Sequence, residues 1–157
     1  MITVKPPNKV PSTDHTVIFL AGSIEMGVAI DWQKQVESAL NGKDCVILNP
    51  RREDWNPEWV QSIDHPEFAE QVTWEMDGIE SADLVLFYFE PGTKSPISLM
   101  ELGWASGLGK KVVVFCPDGF WRKGNVDIIC MRHGIQMVDS FDALVKYAER
   151  FVRVVKF

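Results

Sequence analysis

Cysteine is scarce: among 157 residues there are three, Cys45, Cys116 and Cys130. Their number is odd, none is spaced CxxC, and two fall inside strand-like apolar runs, which excludes a disulfide framework and marks them as buried reduced thiols. The three histidines, His15, His65 and His133, lack ligand spacing, so no metal site is expected. Basic residues are also few, with 16 Lys and Arg against 22 Asp and Glu and a net charge of -6. Because phosphate-backbone binding draws on clustered Lys and Arg, no nucleic-acid partner is expected, and a small-molecule substrate fits better. No apolar run approaches the ~20 residues needed to span a bilayer, and Met1 to Asp14 is polar and proline-punctuated, unlike a signal peptide. A cytoplasmic protein with no membrane partner is expected.

What is present is the profile of one ordinary domain, 46% hydrophobic and 24% charged, enough apolar surface to bury a core. Residues 1–14 read as an arm with little fixed structure and residues 15–157 as the domain. Thr16 to Ala21 is a short apolar run ending at Gly22-Ser23, as a buried parallel strand ends at a loop. Ala29, Trp32, Val36, Ala39 and Leu40 follow helical spacing up to Asn41-Gly42. A second strand spans Cys45 to Leu48, and Arg51 to Pro66 is a long aperiodic loop rich in Trp and Pro. Pro66 suits the first turn of a helix running to Ser81 with Phe68, Val72 and Ile79 on its buried stripe. Asp83 to Phe89 is a third strand, Ile97 to Leu108 a helix, Lys111 to Cys116 a fourth strand, and Ile135 to Val138 a weaker fifth. Pro117 to Gly134 has no clear period and reads as loop with at most a turn of helix. Phe141 to Val152 is the closing amphipathic helix. The alternation predicts a doubly wound α/β fold with a five-stranded parallel sheet.

In such sheets ligands bind beyond the carboxyl ends of the strands, where the winding direction reverses. The loops Gly22 to Gly27 and Glu90 to Glu101 meet there if the strand order is flavodoxin-like. Gly22 and Ser23 at the strand exit let backbone approach a ligand. Glu101 lies about one turn into the following helix in an apolar setting, so its carboxylate is either solvated or aimed into the cleft. Glu75, seven residues after Phe68 and four before Ile79, shares the buried stripe of its helix, whereas Asp77, a further substrate-contact candidate, points elsewhere. Two carboxylates brought to one cleft are the equipment for glycosidic chemistry: one attacks the anomeric carbon while another group handles the proton of the leaving group. Gly22 to Gly27 lacks a Gly-Lys-Ser/Thr ending, and Glu25 within it would repel a phosphate. Trp55, Trp59 and Trp74 fill core or stack on a base, and Arg51 and Arg52 are either solvated or bind a base carbonyl.

Phe19 to Ile24 (FLAGSI), Trp74 to Asp83 (WEMDGIESAD) and Met100 to Gly103 (MELG) resemble segments of the nucleoside 2-deoxyribosyltransferases and the related deoxynucleoside 5′-monophosphate N-glycosidases. The likeness runs from about Thr16 to Val114. It implies a flavodoxin-like fold, no cofactor, and a homo-oligomer, dimeric or larger, with shared active sites. It also implies substrates that are 2′-deoxynucleosides and free nucleobases, and a ping-pong reaction through a covalent deoxyribosyl intermediate on Glu101. Glu75 takes the place of the base-contacting acid, more usually Asp. Ser95 stands where the transferases carry an Asp and the glycosidases a phosphate-binding Ser. Ser23 is shared with the glycosidases, while Glu25 stands near their phosphate-binding Arg and opposes a phosphate, with Lys94 a possible compensation. Asn125, beside Asp127, matches a group lent by a neighbouring subunit. A transferase is the first expectation, a hydrolytic N-glycosidase the second, and a non-catalytic nucleotide-binding module the third.

Overall fold

The computed structural model describes residues 1–154. Six parallel strands, β1 (Ile2–Val4), β2 (Thr16–Gly22), β3 (Cys45–Leu48), β4 (Leu84–Tyr88), β5 (Val112–Phe115) and β6 (Gln136–Val138), form one open sheet in the order β1-β3-β2-β4-β5-β6. Four helices connect the strands from β2 onward, α1 (Trp32–Ala39), α2 (Pro66–Ser81), α3 (Pro96–Gly107) and α4 (Lys123–His133), and α5 (Phe141–Val154) follows β6. The central strands are buried along their whole length, as expected where helices cover both faces. Alternation along β2 sends Phe19 to one face and Ile18 and Leu20 to the other. On the first face the side chains of α2, α3 and α4 pack through Trp74, Ile79, Leu102, Val126 and Cys130. On the second, α1 and α5 pack through Trp32, Val36, Leu144 and Ala148. Burial of each large apolar side chain contributes about 1.5–3 kcal/mol, so this three-layer core carries the fold. All three cysteines are free and buried. No helix of the described residues is long and apolar enough to cross a membrane.

Local signals explain most element ends. Asp31 caps α1 by accepting from the Lys34 amide at 3.1 Å. Pro66 and Pro96 open α2 and α3, where a missing N–H costs nothing. Gly22 must be glycine: its φ is 131°, and a Cβ there would lie 2.1 Å from the Tyr88 carbonyl oxygen. That contact is the β2–β4 junction, where the Ser23 amide donates to the same oxygen at 2.9 Å.

Two expectations are corrected. The sheet has six strands, not five, because residues 2–4 of the supposed arm pair in register with Val46 to Leu48. The arm is held further by the Asn49 amide donating to the Val4 carbonyl at 3.0 Å and by the Trp74 indole donating to the Asn8 carbonyl at 2.6 Å. Within the stretch expected to be mainly loop, residues 123–133 form α4, a three-turn helix that buries only Val126 and Cys130. Its end is marked by Arg132 and His133 in the last turn and by Gly134 in the left-handed conformation, φ 63°.

Candidate active site

The chain leaves β2 to β3 on one side and returns to β4 on the other, so the winding reverses between β2 and β4. A cavity of about 530 Å³ opens beyond the carboxyl ends of these strands. Three strand exits and one helix build it: Ala21 to Gly27 after β2, Pro50 to Gln61 after β3, Lys94 to Glu101 after β4, and Phe68 to Glu75 on α2.

Glu75 and Glu101 both line it. Burial pushes the Glu75 carboxyl up to about 7, against a hydrogen bond from Gln71 that pulls the other way. Glu101 is also raised well above the usual carboxylate range, first by burial and then by the charge of Glu75. Each carboxylate therefore opposes ionisation of the other, and near neutral pH the pair retains a proton as a coupled unit. The Gln71 amide donates to Glu75 Oε1 at 2.9 Å and to the Pro50 carbonyl at 3.1 Å. This orients the Glu75 carboxyl. Gln71 is the functional neighbour not singled out from sequence, although it lies four residues before Glu75 on the same helix face.

At the β2 and β4 exits a hydroxyl cluster locks the backbone. Ser23 Oγ accepts the Glu90 amide at 2.8 Å and shares hydrogen bonds with Thr93 Oγ1 and Ser95 Oγ, both at 2.8 Å. Ser98 donates from Oγ to the Gly22 carbonyl at 2.8 Å, tying α3 to the end of β2. Ser95 has φ 44°, and Glu25 and Met26, at 47° and 54°, are likewise left-handed without being glycine. Such residues persist where their surroundings over-determine them and cluster at functional sites.

Of the residues singled out from sequence, Glu75, Glu101, Gly22 and Ser95 line the cavity. Ser23 lies fully buried directly behind Ser95. Arg51 is engaged elsewhere: its guanidinium donates to the carbonyls of Gly27, Ala29 and Ile30 at 3.0, 2.7 and 2.9 Å, stapling the loop after β2. Its neighbour Arg52 is the one that reaches the cavity, paired at two points with Asp54 at 2.7 and 2.8 Å and lying over the Trp59 ring. Trp55 lines the cavity and packs edge-on against Trp59, while Trp74 is core. Asp77 is exposed and outside the lining. Asn125 is exposed on α4, at a second concavity shared with α3.

Comparison with known proteins agrees with this architecture. Two of the solved structures that this chain matches are covered over nearly their whole length. A conserved protein from Enterococcus faecalis V583 is 15% identical, with 86% of this chain and 98% of that one covered and a TM-score of 0.57. A CMP N-glycosidase of Clostridium botulinum is 17% identical, with 87% and 99% covered and a TM-score of 0.51. At these identities the likeness carries the flavodoxin-like fold and nothing finer. No curated protein matches. The family described as nucleoside 2-deoxyribosyltransferase-like matches residues 15–120, a span holding every lining residue of the carboxylate cavity, and the chain belongs to that family.

Proposed function

We propose that this protein is a nucleoside 2-deoxyribosyltransferase that moves deoxyribose from one nucleobase to another by double displacement. The observation that carries the reading is the pair Glu75 and Glu101, on two different helices, facing one cavity with both carboxyls raised by burial. The pair reacts from the form in which its shared proton has passed to Glu75: Glu101, ionised in that form, attacks the anomeric carbon as the bond to the base nitrogen breaks. Glu75, carrying the shared proton, delivers it to the departing base, so that the base leaves neutral and the sugar is held as an ester on Glu101. The incoming base reverses the sequence: its nitrogen attacks the anomeric carbon, its proton passes to Glu75, and the Glu101 carboxylate is released. Phe68, Val72, Trp55 and Met100 give the cavity apolar walls suited to a planar base and exclude water that would compete as acceptor. In the same reading Asn125 serves a neighbour's cavity in a homo-oligomer.

The test is base exchange. Protein mixed with a deoxynucleoside and a different free base is expected to yield the exchanged deoxynucleoside, and mass spectrometry to detect a deoxyribosyl adduct on the peptide containing Glu101. Glu101→Gln is expected to lower kcat by at least about 10³-fold with the fold intact. Release of free base with no exchange would assign the same residues to a hydrolytic N-glycosidase. Absence of both across purine and pyrimidine pairs would refute glycosyl chemistry here.

A further inference from the structure

A third carboxylate lines the cavity. Glu25 Oε1 accepts the backbone amides of Lys94 and Ser95, each at 2.6 Å, just where the chain enters α3. The seat is built: Glu25 and Met26 are held left-handed, Ser95 opposite them likewise, and Arg51 pins the loop through three carbonyls. The two cations among the described lining residues are both engaged. Arg52 is in a two-point pair with Asp54, and the Lys94 ammonium lies 4.6 Å from the centre of the Trp121 ring.

We propose that Glu25 determines the substrate class, admitting nucleosides with a free 5′ hydroxyl and rejecting their 5′-monophosphates. This deepens the transferase reading and rests on it. Glu101 must face the anomeric carbon, and α2 with Glu75 faces the base. The Pro50 to Gln61 segment adjoins α2, where the Gln71 amide bridges Glu75 and the Pro50 carbonyl, and so lies on the base side; Gly22 to Gly27 with Lys94 and Ser95 is left for the 5′ side of the sugar. A phosphate arriving there needs amide donors and a cation. It finds both amides taken by a group of its own sign, in a partly dehydrated site where like charges repel more strongly than in water. An uncharged hydroxyl instead donates to the Glu25 carboxylate and leaves its two amide bonds in place.

The experiment compares kcat/KM for each 2′-deoxynucleoside and its 5′-monophosphate in wild type, Glu25→Gln and Glu25→Gly. Glycine suits the φ of 47° and empties the seat; glutamine keeps the shape and removes the charge. Wild type is expected to favour the nucleoside by roughly a hundredfold. Glu25→Gly should shrink that ratio by about tenfold or more, the effect of one charge-assisted hydrogen bond, with Glu25→Gln between the two. Inorganic phosphate titrated calorimetrically into wild type and Glu25→Gly reads the same point without turnover, and only the variant should bind it. Equal turnover of nucleoside and monophosphate by wild type, an unchanged ratio in both variants, or equal phosphate binding by wild type and Glu25→Gly would overturn the assignment. If neither substrate class turns over, the transferase reading fails, and the phosphate titration still decides the role of Glu25.

Discussion

Replacing Glu75 by Gln should stabilise the protein while abolishing base exchange, and the gain should depend on pH. The rise of the Glu75 carboxyl from its ordinary 4.5 to about 7 corresponds to about 3 kcal/mol at roughly 1.36 kcal/mol per pH unit. Below 4.5 the group is protonated in folded and unfolded chains alike, and there is no penalty. Between 4.5 and about 7 the unfolded chain gives up its proton while the folded one keeps it, so stability falls as pH rises. Above about 7 both are ionised and the full penalty stands. Gln does not ionise, still accepts the Gln71 amide, and removes the like charge that opposes ionisation of Glu101. Urea denaturation at pH 8.5 should show Glu75→Gln more stable by about 3 kcal/mol, a rise in Tm of roughly 6–12 °C for a chain of this size. At pH 4.5 the difference should fall below about 0.5 kcal/mol. An equal gain at both pH values, or a loss at pH 8.5, would refute burial as the cause of the raised carboxyl.

Three further substitutions probe the frame around the site. Arg51→Ala removes three hydrogen bonds to the carbonyls of Gly27, Ala29 and Ile30. It should cost about 2 kcal/mol and speed hydrogen exchange at the Gly27 and Val28 amides, whose bonds close the turn at Glu25. Gly78→Ala places a Cβ 2.6 Å from a ring carbon of Phe19 in the core and should cost about 1–3 kcal/mol by urea midpoint. Gly103→Ala, whose nearest neighbour is Ile129 at 3.8 Å, should not share that loss.

Five of the six strands are legible: β2 to β5 because each is an apolar run with turn residues after it, where burial on both faces leaves little else for such runs to do, and β6 more weakly as the short run from Ile135 to Val138. β1 is not, since Ile2 to Val4 is too short to show a pattern and its pairing is supplied by β3. α4 escapes because a helix that buries only Val126 and Cys130 leaves no stripe to count. In the site the same division holds. Glu75 is legible from the stripe it shares with Phe68 and Val72, which the structure turns to the cavity while α2 buries Gln71, Trp74, Gly78 and Ile79, and Glu101 from its place after the third predicted strand. The choice between Arg51 and Arg52 is not, because the path of an aperiodic loop decides which of two adjacent guanidinium groups turns inward. Gln71 is within reach, four residues from Glu75 on the same predicted helix. A neutral amide there carries no sign of function until the carboxylate it orients is in view.

The costs borne by this fold fall together. Among the described residues, all three left-handed side chains that are not glycine, Glu25, Met26 and Ser95, line one cavity with the two raised carboxyls. Each unusual backbone conformation costs on the order of 1–3 kcal/mol. What holds them is local and redundant: Glu25 on two amides, Ser23 on Thr93, Ser95 and Glu90, and Arg51 on three carbonyls. What offsets them is remote, the sheet core from Ile18 to Leu20 and from Leu84 to Phe89, which is almost wholly inaccessible. Substitutions that relieve the cavity, Glu75→Gln among them, should therefore raise stability and lower activity together, because preorganised charge and strained loops work only while the core holds them against relaxation.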